Sequence, residues 1–293
     1  MAVPENTLRQ SVRIMAMTAL LTGAWAAALH WLPRPELAET NYEANRLRVE
    51  QWLLGPPAPA ALVGTSISGR LLPSYFDGTP LAGLANLGLD GASPETGLRL
   101  VSQRPQGTRL VLLEVHLLGK RPGPNDRQLL DLASGFGLTL SRWVPVTRAE
   151  ARPSTVLYGW LKERRGEGGG GGDPVPRRVP PDEAAREAEA MDPEWQPRIR
   201  RWIGELGASG IRVVLIRVPA GRADPAVPEA PNEADRIAAD LGLPLVDLLR
   251  LSQQEGLRLS YTDGLHLTPV AARGVCRILA TALERLDLVP PRD

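Results

Sequence analysis

Residues 60–66 read Ala-Ala-Leu-Val-Gly-Thr-Ser, a short apolar run that leads directly into a glycine-containing turn. Four further runs rich in Val, Leu or Ile follow, and none shows the strict polar alternation of a half-exposed strand. They lie at 83–89, 109–115, 211–218 and 243–248. Such runs are typical of strands that are covered on both faces, so they predict a parallel sheet in an α/β sandwich.

Helical patterns separate these runs, at 94–103, 182–206, 233–241 and 269–286. The alternation predicts one three-layer α/β domain with a five-stranded parallel sheet, extending over 59–293. Between 164 and 181 the chain is rich in Gly and Pro, a composition that buries little apolar surface and predicts a mobile insertion. The glycine run lacks the Lys-Ser/Thr pair of a phosphate-binding loop, so a linker is favoured over a phosphate cradle.

The charge balance excludes one class of partner. The chain carries 34 basic and 33 acidic residues that are well mixed, so no basic footprint for nucleic acid is visible. We expect no nucleic-acid partner, no cofactor and no metal. The single cysteine, Cys276, excludes an intramolecular disulfide, and its apolar helical surroundings predict a buried residue rather than a reactive thiol.

The N-terminal region predicts a membrane segment. Residues 14–32 contain no charged side chain, and nineteen residues at about 1.5 Å each span a bilayer core of about 30 Å. Arg9 and Arg13 precede the segment, which predicts a cytoplasmic stretch at 1–13 and a periplasmic or extracellular remainder. An uncleaved single-pass anchor in the inner membrane is favoured, and a cleaved signal peptide or a short amphipathic anchor are the alternatives. A polar helix at 35–54, within a linker at 33–58, is expected to lift the domain off the membrane.

Candidate reactive groups are sought just beyond the carboxyl ends of the strands, where they gather in α/β sheets. Ser66 stands in the turn after the first run and is the candidate nucleophile; the alternative is a helix cap at Ser66 or Ser68. Gly91 follows the second run, where its N–H can point into the site as an oxyanion donor; the alternative is a plain turn glycine.

The third run ends near two candidate side chains for completing the oxyanion hole. These are His116 and Asn125, the latter within the stretch Gly-Pro-Asn-Asp at 123–126. For His116 a structural, hydrogen-bonded histidine is the alternative interpretation. Only a donor about 3 Å from the developing negative oxygen would contribute.

Asp263 and His266 lie three residues apart in a turn, ahead of a helix start at Thr268 and Pro269. A serine nucleophile needs a general base and a third group that holds the base in one tautomer. Asp263 can accept from the imidazole Nδ1 while Nε2 faces Ser66. The alternative interpretation is a structural turn that precedes the helix.

These motifs together resemble those of the SGNH, or GDSL-type, hydrolase superfamily. The first family block matches residues 64–68 (Gly-Thr-Ser-Ile-Ser), the second matches Asn86 with Gly91, and the last matches residues 263–266 (Asp-Gly-Leu-His). The resemblance covers about residues 60–286. It implies a flavodoxin-like SGNH fold, a catalytic set of Ser66, Asp263 and His266, and an oxyanion hole that includes the N–H groups of Ser66 and Gly91.

Two departures refine the expected function. Thr65 replaces the family's Asp, as in the membrane-anchored polysaccharide acetyltransferase and esterase branch, and the Gly-x-Asn-Asp block is not found directly after the third run. The resemblance thus implies an anchored periplasmic serine esterase or O-acetyltransferase that acts on an acylated envelope polysaccharide, an exopolysaccharide or a small ester. The alternative is a non-catalytic or weakly active subunit of a polysaccharide synthesis or secretion complex, beside a polysaccharide synthase or a multispanning acyltransferase.

Four tryptophans flank the predicted insertion and are candidates for stacking on sugar rings. Packing in the core is the favoured interpretation for each of them. They are Trp143, Trp160, Trp195 and Trp202.

Overall fold

A five-stranded parallel sheet forms the centre of the domain. The computed structural model describes residues 5–32, 35–105, 107–166, 192–221 and 233–290. The strand order is β2-β1-β3-β4-β5, so the chain reverses its direction of winding between β1 and β3. The strands are β1 (Ala60–Gly64), β2 (Ala85–Gly88), β3 (Leu110–Glu114), β4 (Arg212–Arg217) and β5 (Leu245–Asp247). The predicted parallel sheet is confirmed, and every strand except β1 is shorter than its predicted run.

The described residues form ten α-helices. They are α1 (Glu5–Ala28), α2 (Asn41–Leu54), α3 (Pro94–Gln103), α4 (Pro124–Ser134), α5 (Phe136–Trp143), α6 (Pro153–Gly166), α7 (Trp195–Ala208), α8 (Glu233–Leu241), α9 (Leu248–Gln254) and α10 (Pro269–Arg285). The helical patterns at 94–103, 233–241 and 269–286 correspond to α3, α8 and α10. The pattern at 182–206 corresponds to α7 from Trp195 onward, and 182–191 lies outside the described residues. Of the predicted insertion, residues 164–166 end α6 and the rest lies outside the described residues.

Side chains of each strand alternate between two cores, one on each face of the sheet. Ala61 and Val63 of β1 belong to the core shared with α2, α3, α4 and α7, whereas Leu62 belongs to the core shared with α10. Gly97 allows α3 to pack closely on β1, because a Cβ there would lie 2.6 Å from Val63 Cγ1. The resulting burial on both faces explains why the sequence runs lack polar alternation.

Helix α2 corrects the prediction of a polar spacer at 35–54. Eight of its residues are buried, and Trp52 and Leu53 pack into the domain core. Its Arg48 is 6% exposed and reaches the carboxyl edge of the sheet, where Nη1 lies 3.2 Å from Asp90 Oδ1 and Nη2 donates to Gly69 O at 3.1 Å. Two of the charged residues that suggested a solvent-facing helix, Arg48 and Glu50, are therefore buried in the domain. The domain begins at α2 and not at residue 59.

Helix α1 contains the apolar N-terminal segment. Residues Thr7–Ala28 form one continuous stretch that is long and apolar enough to cross a bilayer, a property that membrane anchors and signal sequences share. The helix begins before the predicted segment at 14–32 and ends at Ala28, so Trp31 and Leu32 lie in the turn that follows it.

Candidate active site

The turn after β1 presents Ser66 at the carboxyl edge of the sheet. Ser66 is half-buried, while its neighbours Thr65 and Ile67 are buried. The turn continues into a short 3₁₀ helix at Ser68–Arg70, with Gly69 N donating to Thr65 O at 3.0 Å. Ser66 is therefore the side chain of this turn that faces the accessible edge.

A buried carboxylate at the end of β3 fixes this turn. Glu114 is 0% exposed, and its Oε2 accepts hydrogen bonds from Thr65 N at 2.7 Å and from Ser68 N at 3.3 Å. The Thr65 hydroxyl lies 3.2 Å from both carboxylate oxygens. Gly64 is required beside it, because a Cβ there would lie 2.2 Å from Glu114 Oε2. Sequence reasoning missed the function of Glu114; a charged residue that ends an otherwise apolar strand was the available signal.

The Asp-His turn is closed by its own backbone. Tyr261 and Leu267 form an antiparallel bridge, and Thr262 N donates to His266 O at 2.8 Å. Gly264 lies in the left-handed region at φ 80°, where a glycine is favoured. The loop after β4 supports the turn, because Gly221 N donates to Leu265 O at 2.9 Å. Residues 263–266 are thus held in one shape between β4 and α10.

Three predicted side chains form a continuous hydrogen-bonded chain. His266 Nε2 lies 2.9 Å from Ser66 Oγ, and His266 Nδ1 lies 2.6 Å from Asp263 Oδ2. Both distances are within hydrogen-bond reach of a nucleophile, its base and the group that orients the base. The fold therefore brings Ser66 and His266, which are 200 positions apart in sequence, together at the carboxyl edge of the sheet.

The second oxygen of Asp263 is occupied by backbone donors. Oδ1 accepts from Leu265 N at 3.0 Å and from His266 N at 2.8 Å, which leaves Oδ2 for the imidazole. Partial burial would raise the pKa of Asp263, but the hydrogen bonds from His266 and Leu265 outweigh it and lower the pKa from 3.8 to about 2. Asp263 is thus a stable carboxylate that can hold the Nδ1 proton of His266.

The pH dependence of any reaction at this site follows from that shift. Because the pKa of Asp263 is depressed in the folded chain, its carboxylate persists above pH 3.8 and is lost only as pH falls towards about 2. Protonation of Asp263 is therefore not expected to contribute to any loss of activity between neutral pH and about pH 4. The measurement is the pH profile of kcat/KM from neutral pH down to about pH 4. A limb that requires two protons would contradict an ionised Asp263.

Gly221 offers a test of how precisely the turn must be placed. A Cβ at this position would lie 1.9 Å from Gly264 O, so Gly221→Ala must displace the Asp-His turn. We expect kcat to fall about 100-fold, the effect of misplacing a catalytic group by about 1 Å. The matched control is Gly204→Ala on α7, where a Cβ meets nothing within 4 Å. Equal activities for the two variants, measured on proteins of equal thermal stability, would contradict this dependence on the turn.

Two backbone N–H groups beside Ser66 are available as oxyanion donors. Within the described ranges, neither Ser66 N nor Gly91 N donates a hydrogen bond to a protein acceptor. Gly91 is exposed, has φ 73°, and would have nothing within 4 Å of an added Cβ, so open space lies beside its Cα. Lys120 Nζ donates to Gly91 O at 2.6 Å on the other side of the residue. Both N–H groups are therefore free of protein acceptors, as backbone oxyanion donors must be before substrate binds.

Asn45 of α2 orients the peptide that carries the Gly91 N–H. Its Nδ2 donates to Asp90 O at 2.8 Å, and its Oδ1 accepts from Asp90 N at 2.6 Å. Because a trans peptide points C=O and N–H in opposite directions, holding Asp90 O turns Gly91 N–H away from α2. Sequence reasoning missed this residue, since α2 was interpreted as a spacer.

Replacing Asn45 by Asp tests this positioning. Asn45→Asp keeps the shape of the side chain but removes the donor to Asp90 O, so the Asp90–Gly91 peptide is released. We expect kcat to fall by about 100-fold with little change in KM, near the lower limit for losing an oxyanion donor. Gln51→Glu is the matched control, because Gln51 Nε2 makes a similar bond to Pro35 O at 3.0 Å elsewhere on α2. Equal kcat values in the two variants would refute a role for Asn45 in the site.

The proposed side-chain donors of the oxyanion hole are not joined to the other site residues. His116 and Asn125 are both exposed, and no hydrogen bond among the described residues links either to Ser66 or Gly91. The stretch at 123–126 instead begins α4, where Asp126 Oδ2 accepts from Gly123 N at 2.7 Å. Asp126 Oδ1 accepts from Ser93 N at 2.8 Å, which ties α4 to the start of α3. Residues 123–126 have the letters of the family's Gly-x-Asn-Asp block, about eight residues after the end of the third run, and in the structure they begin helix α4.

The cysteine and the tryptophans differ in how far they are buried. Cys276 is buried, as predicted, and burial raises the pKa of its thiol. Trp195 and Trp202 pack against the core, whereas Trp143 is 79% exposed and Trp160 is 44% exposed, which corrects the favoured prediction of core packing for these two residues. Within the described part of the chain, no group of three or more His, Cys, Asp or Glu side chains is arranged to hold a metal ion.

Comparison with known proteins does not assign the chain to a family. None of the models of known protein families matches the chain, and no protein of curated function is recognisably similar to it.

Proposed function

We propose that this chain is a membrane-anchored serine ester hydrolase or O-acyltransferase. The observation that carries the proposal is the hydrogen-bonded series from Ser66 Oγ through His266 to Asp263, with distances of 2.9 Å and 2.6 Å. A half-buried serine at the carboxyl edge of a doubly wound sheet, with two backbone N–H groups beside it, is suited to acyl transfer. The resemblance of residues 64–68 and 263–266 to SGNH blocks, and a strand order shared with flavodoxin-like folds, support the same proposal.

The first half of the reaction forms an acyl-enzyme. Ser66 Oγ attacks the acyl carbonyl carbon as His266 Nε2 takes the hydroxyl proton. Asp263 stabilises the imidazolium that forms, and the N–H groups of Ser66 and Gly91 bind the negative oxygen of the tetrahedral intermediate. His266 then returns the proton to the departing alkoxide, and the acyl group remains on Ser66.

The second half returns the enzyme to its starting state. His266 removes a proton from an incoming hydroxyl group, whose oxygen attacks the acyl carbon. The bond from the acyl carbon to Ser66 Oγ then breaks, and His266 returns the proton to Ser66 Oγ. Water as the acceptor gives ester hydrolysis, and a sugar hydroxyl gives acyl transfer. The resemblance to the polysaccharide-modifying SGNH branch implies an acetylated envelope glycan or exopolysaccharide as the substrate.

The proposed location is the periplasmic side of the inner membrane. The stretch Thr7–Ala28 of α1 supplies the membrane segment, and Arg9 and Arg13 near its start favour a cytoplasmic N-terminus. The catalytic domain from α2 onward then lies in the periplasm. A cleaved signal sequence is the competing assignment for α1, and N-terminal sequencing of the mature chain decides between the two.

The proposed activity is tested with the full chain in detergent. p-Nitrophenyl acetate supplies an activated acetyl ester, and release of p-nitrophenol reports attack by the nucleophile. Addition of a soluble sugar acceptor separates the two outcomes, because a transferase yields acetylated sugar and a hydrolase yields only acetate. Absence of p-nitrophenol release with a correctly folded protein would contradict both assignments.

A second function is favoured by one observation at the same site. No hydrogen bond among the described residues links His116 or Asn125 to Ser66 or Gly91, and loss of one oxyanion donor typically costs about 100- to 1000-fold in rate. A domain of this kind is suited to holding an acylated glycan as a weakly active or non-catalytic subunit of a polysaccharide synthesis complex. Binding of an acetylated oligosaccharide without turnover, unchanged in Ser66→Ala, is the result expected for that function.

A further inference from the structure

Two neighbouring helices display apolar side chains on the outside of the domain. On α5, Phe136, Leu140 and Trp143 recur at i, i+4 and i+7, with Phe136 82% and Trp143 79% exposed. On α6, the exposed side chains Leu157, Trp160 and Leu161 recur at i, i+3 and i+4. We refer to these six residues as the apolar face.

The opposite sides of both helices are already packed. Leu138 and Ser141 of α5 are buried against the domain. Gly159 of α6 lies against Pro35, and a Cβ on Gly159 would be 3.3 Å from Pro35 Cβ. A surface helix normally turns its apolar stripe inward, so exposed apolar rows on two consecutive helices indicate an interaction surface.

The end of α1 adjoins this surface. Trp25 Nε1 donates to Ala151 O at 2.6 Å, and Ala151 lies in the short turn between α5 and α6. Trp25 is three residues before the end of α1, roughly 4.5 Å along the helix axis. If α1 crosses the bilayer, Ala151 is therefore held at the level of the lipid headgroups. The two halves of the apolar face, on α5 and α6, precede and follow Ala151 in the sequence.

We propose that the apolar face lies in the headgroup and acyl-chain boundary of the membrane that α1 crosses. Trp and Phe side chains favour that boundary, and Trp31, 89% exposed at the exit of α1, belongs to the same region. The inference rests on the membrane-anchor part of the proposed function and not on the ester chemistry.

The proposal changes how the candidate active site is presented. Glu50 of α2 accepts from Ala149 N at 2.6 Å, beside the membrane-facing turn, and Asn45 of the same helix holds the Asp90–Gly91 peptide. One rigid helix thus connects the membrane contact to the oxyanion donor. The domain is held against the bilayer in one orientation, and substrates reach Ser66 close to the lipid surface.

Depth-dependent fluorescence quenching tests the proposal on the full chain. The native thiol Cys276 is buried, so a single introduced cysteine can be labelled selectively with an environment-sensitive fluorophore. The label is placed at Trp143→Cys or, as a second site on the face, at Phe136→Cys. Leu286→Cys, exposed at the end of α10 on the other face of the sheet, is the matched control, and Met17→Cys reports on α1. Each variant is placed in phosphatidylethanolamine and phosphatidylglycerol nanodiscs, with unlabelled lipid or with lipid that carries a nitroxide near its headgroup. For Met17→Cys, at the middle of the stretch Thr7–Ala28, the nitroxide is placed near the end of an acyl chain instead.

The expected result is quenching that is several-fold stronger at positions 143 and 136 than at 286. Quenching at 17 without quenching at 143 or 136 would overturn the proposal while leaving the anchor in place. No quenching at 17 would overturn the anchor and the proposal together, with the ester chemistry unaffected. A label at position 143 could instead show blue-shifted emission in detergent and no quenching by nitroxide lipid in nanodiscs. That result would show that protein, such as a second copy of the chain, covers the apolar face, and it would also overturn the proposal.

Discussion

Ser66→Ala is expected to lower kcat/KM for an acetyl ester by about a million-fold, the effect of removing the nucleophile from a serine triad. The variant removes the only side-chain oxygen that is hydrogen-bonded to His266 Nε2 among the described residues. Its backbone N–H remains, so the oxyanion donors and the fold persist. The measurement is the steady-state rate of p-nitrophenol release by the full chain.

Two companion variants make this result specific. Ser68→Ala removes the second serine of the same motif, whose Oγ is buried and donates to Thr65 O at 3.1 Å, and it is expected to retain most of the activity. The double variant Ser66→Ala with His266→Ala is expected to lose no more than Ser66→Ala alone, because the two residues act as one unit. A strictly additive loss, or a large loss in Ser68→Ala alone, would refute the assignment of Ser66.

Asp263→Asn is expected to lower kcat about ten-thousand-fold, by fixing His266 in the wrong tautomer. The two backbone donors, Leu265 N and His266 N, occupy Oδ1, so the amide oxygen of an asparagine stays with them. Its NH₂ group then takes the place of Oδ2 and donates to His266 Nδ1. The imidazole proton moves to Nε2, which can no longer accept the proton of Ser66.

The control for this variant is Asp131→Asn, an exposed carboxylate on α4. Thermal unfolding of Asp263→Asn should remain close to that of the parent chain, because the backbone donors of the turn keep their acceptor. A fall in kcat of less than about tenfold would contradict the tautomer account, because removal of an orienting carboxylate lowers kcat by far more than tenfold.

The strands and the triad were accessible from sequence because their signals are local. Buried parallel strands are recognisable as short apolar runs, and reactive groups gather at their carboxyl ends, so Ser66 and Gly91 could be assigned to one edge of the sheet from the sequence alone. The residues Asp263 and His266 lie within one turn, where a spacing of three fixes their mutual geometry. What topology adds is the approach of Ser66 to His266 across the sheet.

The supporting contacts escaped prediction because they join distant segments. Asn45 bonds to Asp90, a partner 45 positions away, and Glu114 bonds to Thr65 across 49 positions. Neither pairing leaves a periodic pattern, and the polar residues of α2 resemble a solvated helix until the packed domain supplies their partners. The same reasoning explains Trp143, whose apolar character predicted burial that the structure does not provide.

The stretch at 123–126 shows how a motif can match in letters and differ in function. A proline at the first helical position and an acid that accepts from the Gly123 N–H are the ordinary signals of a helix start. Those signals explain the sequence without an oxyanion donor. The candidate donors of the oxyanion hole are therefore the backbone N–H groups of Ser66 and Gly91. We expect kcat to depend on the Asp90–Gly91 peptide, which Asn45 holds.

Covalent labelling tests the central claim, that His266 activates Ser66 as a nucleophile. The full chain in detergent is treated with a fluorophosphonate, which reacts with activated serines, and the modified residue is identified by mass spectrometry of the digested protein. The account predicts one adduct, on Ser66, that is absent in Ser66→Ala and forms far more slowly in His266→Ala. A folded parent chain that remains unmodified at Ser66, or an adduct that forms equally fast without His266, would contradict it.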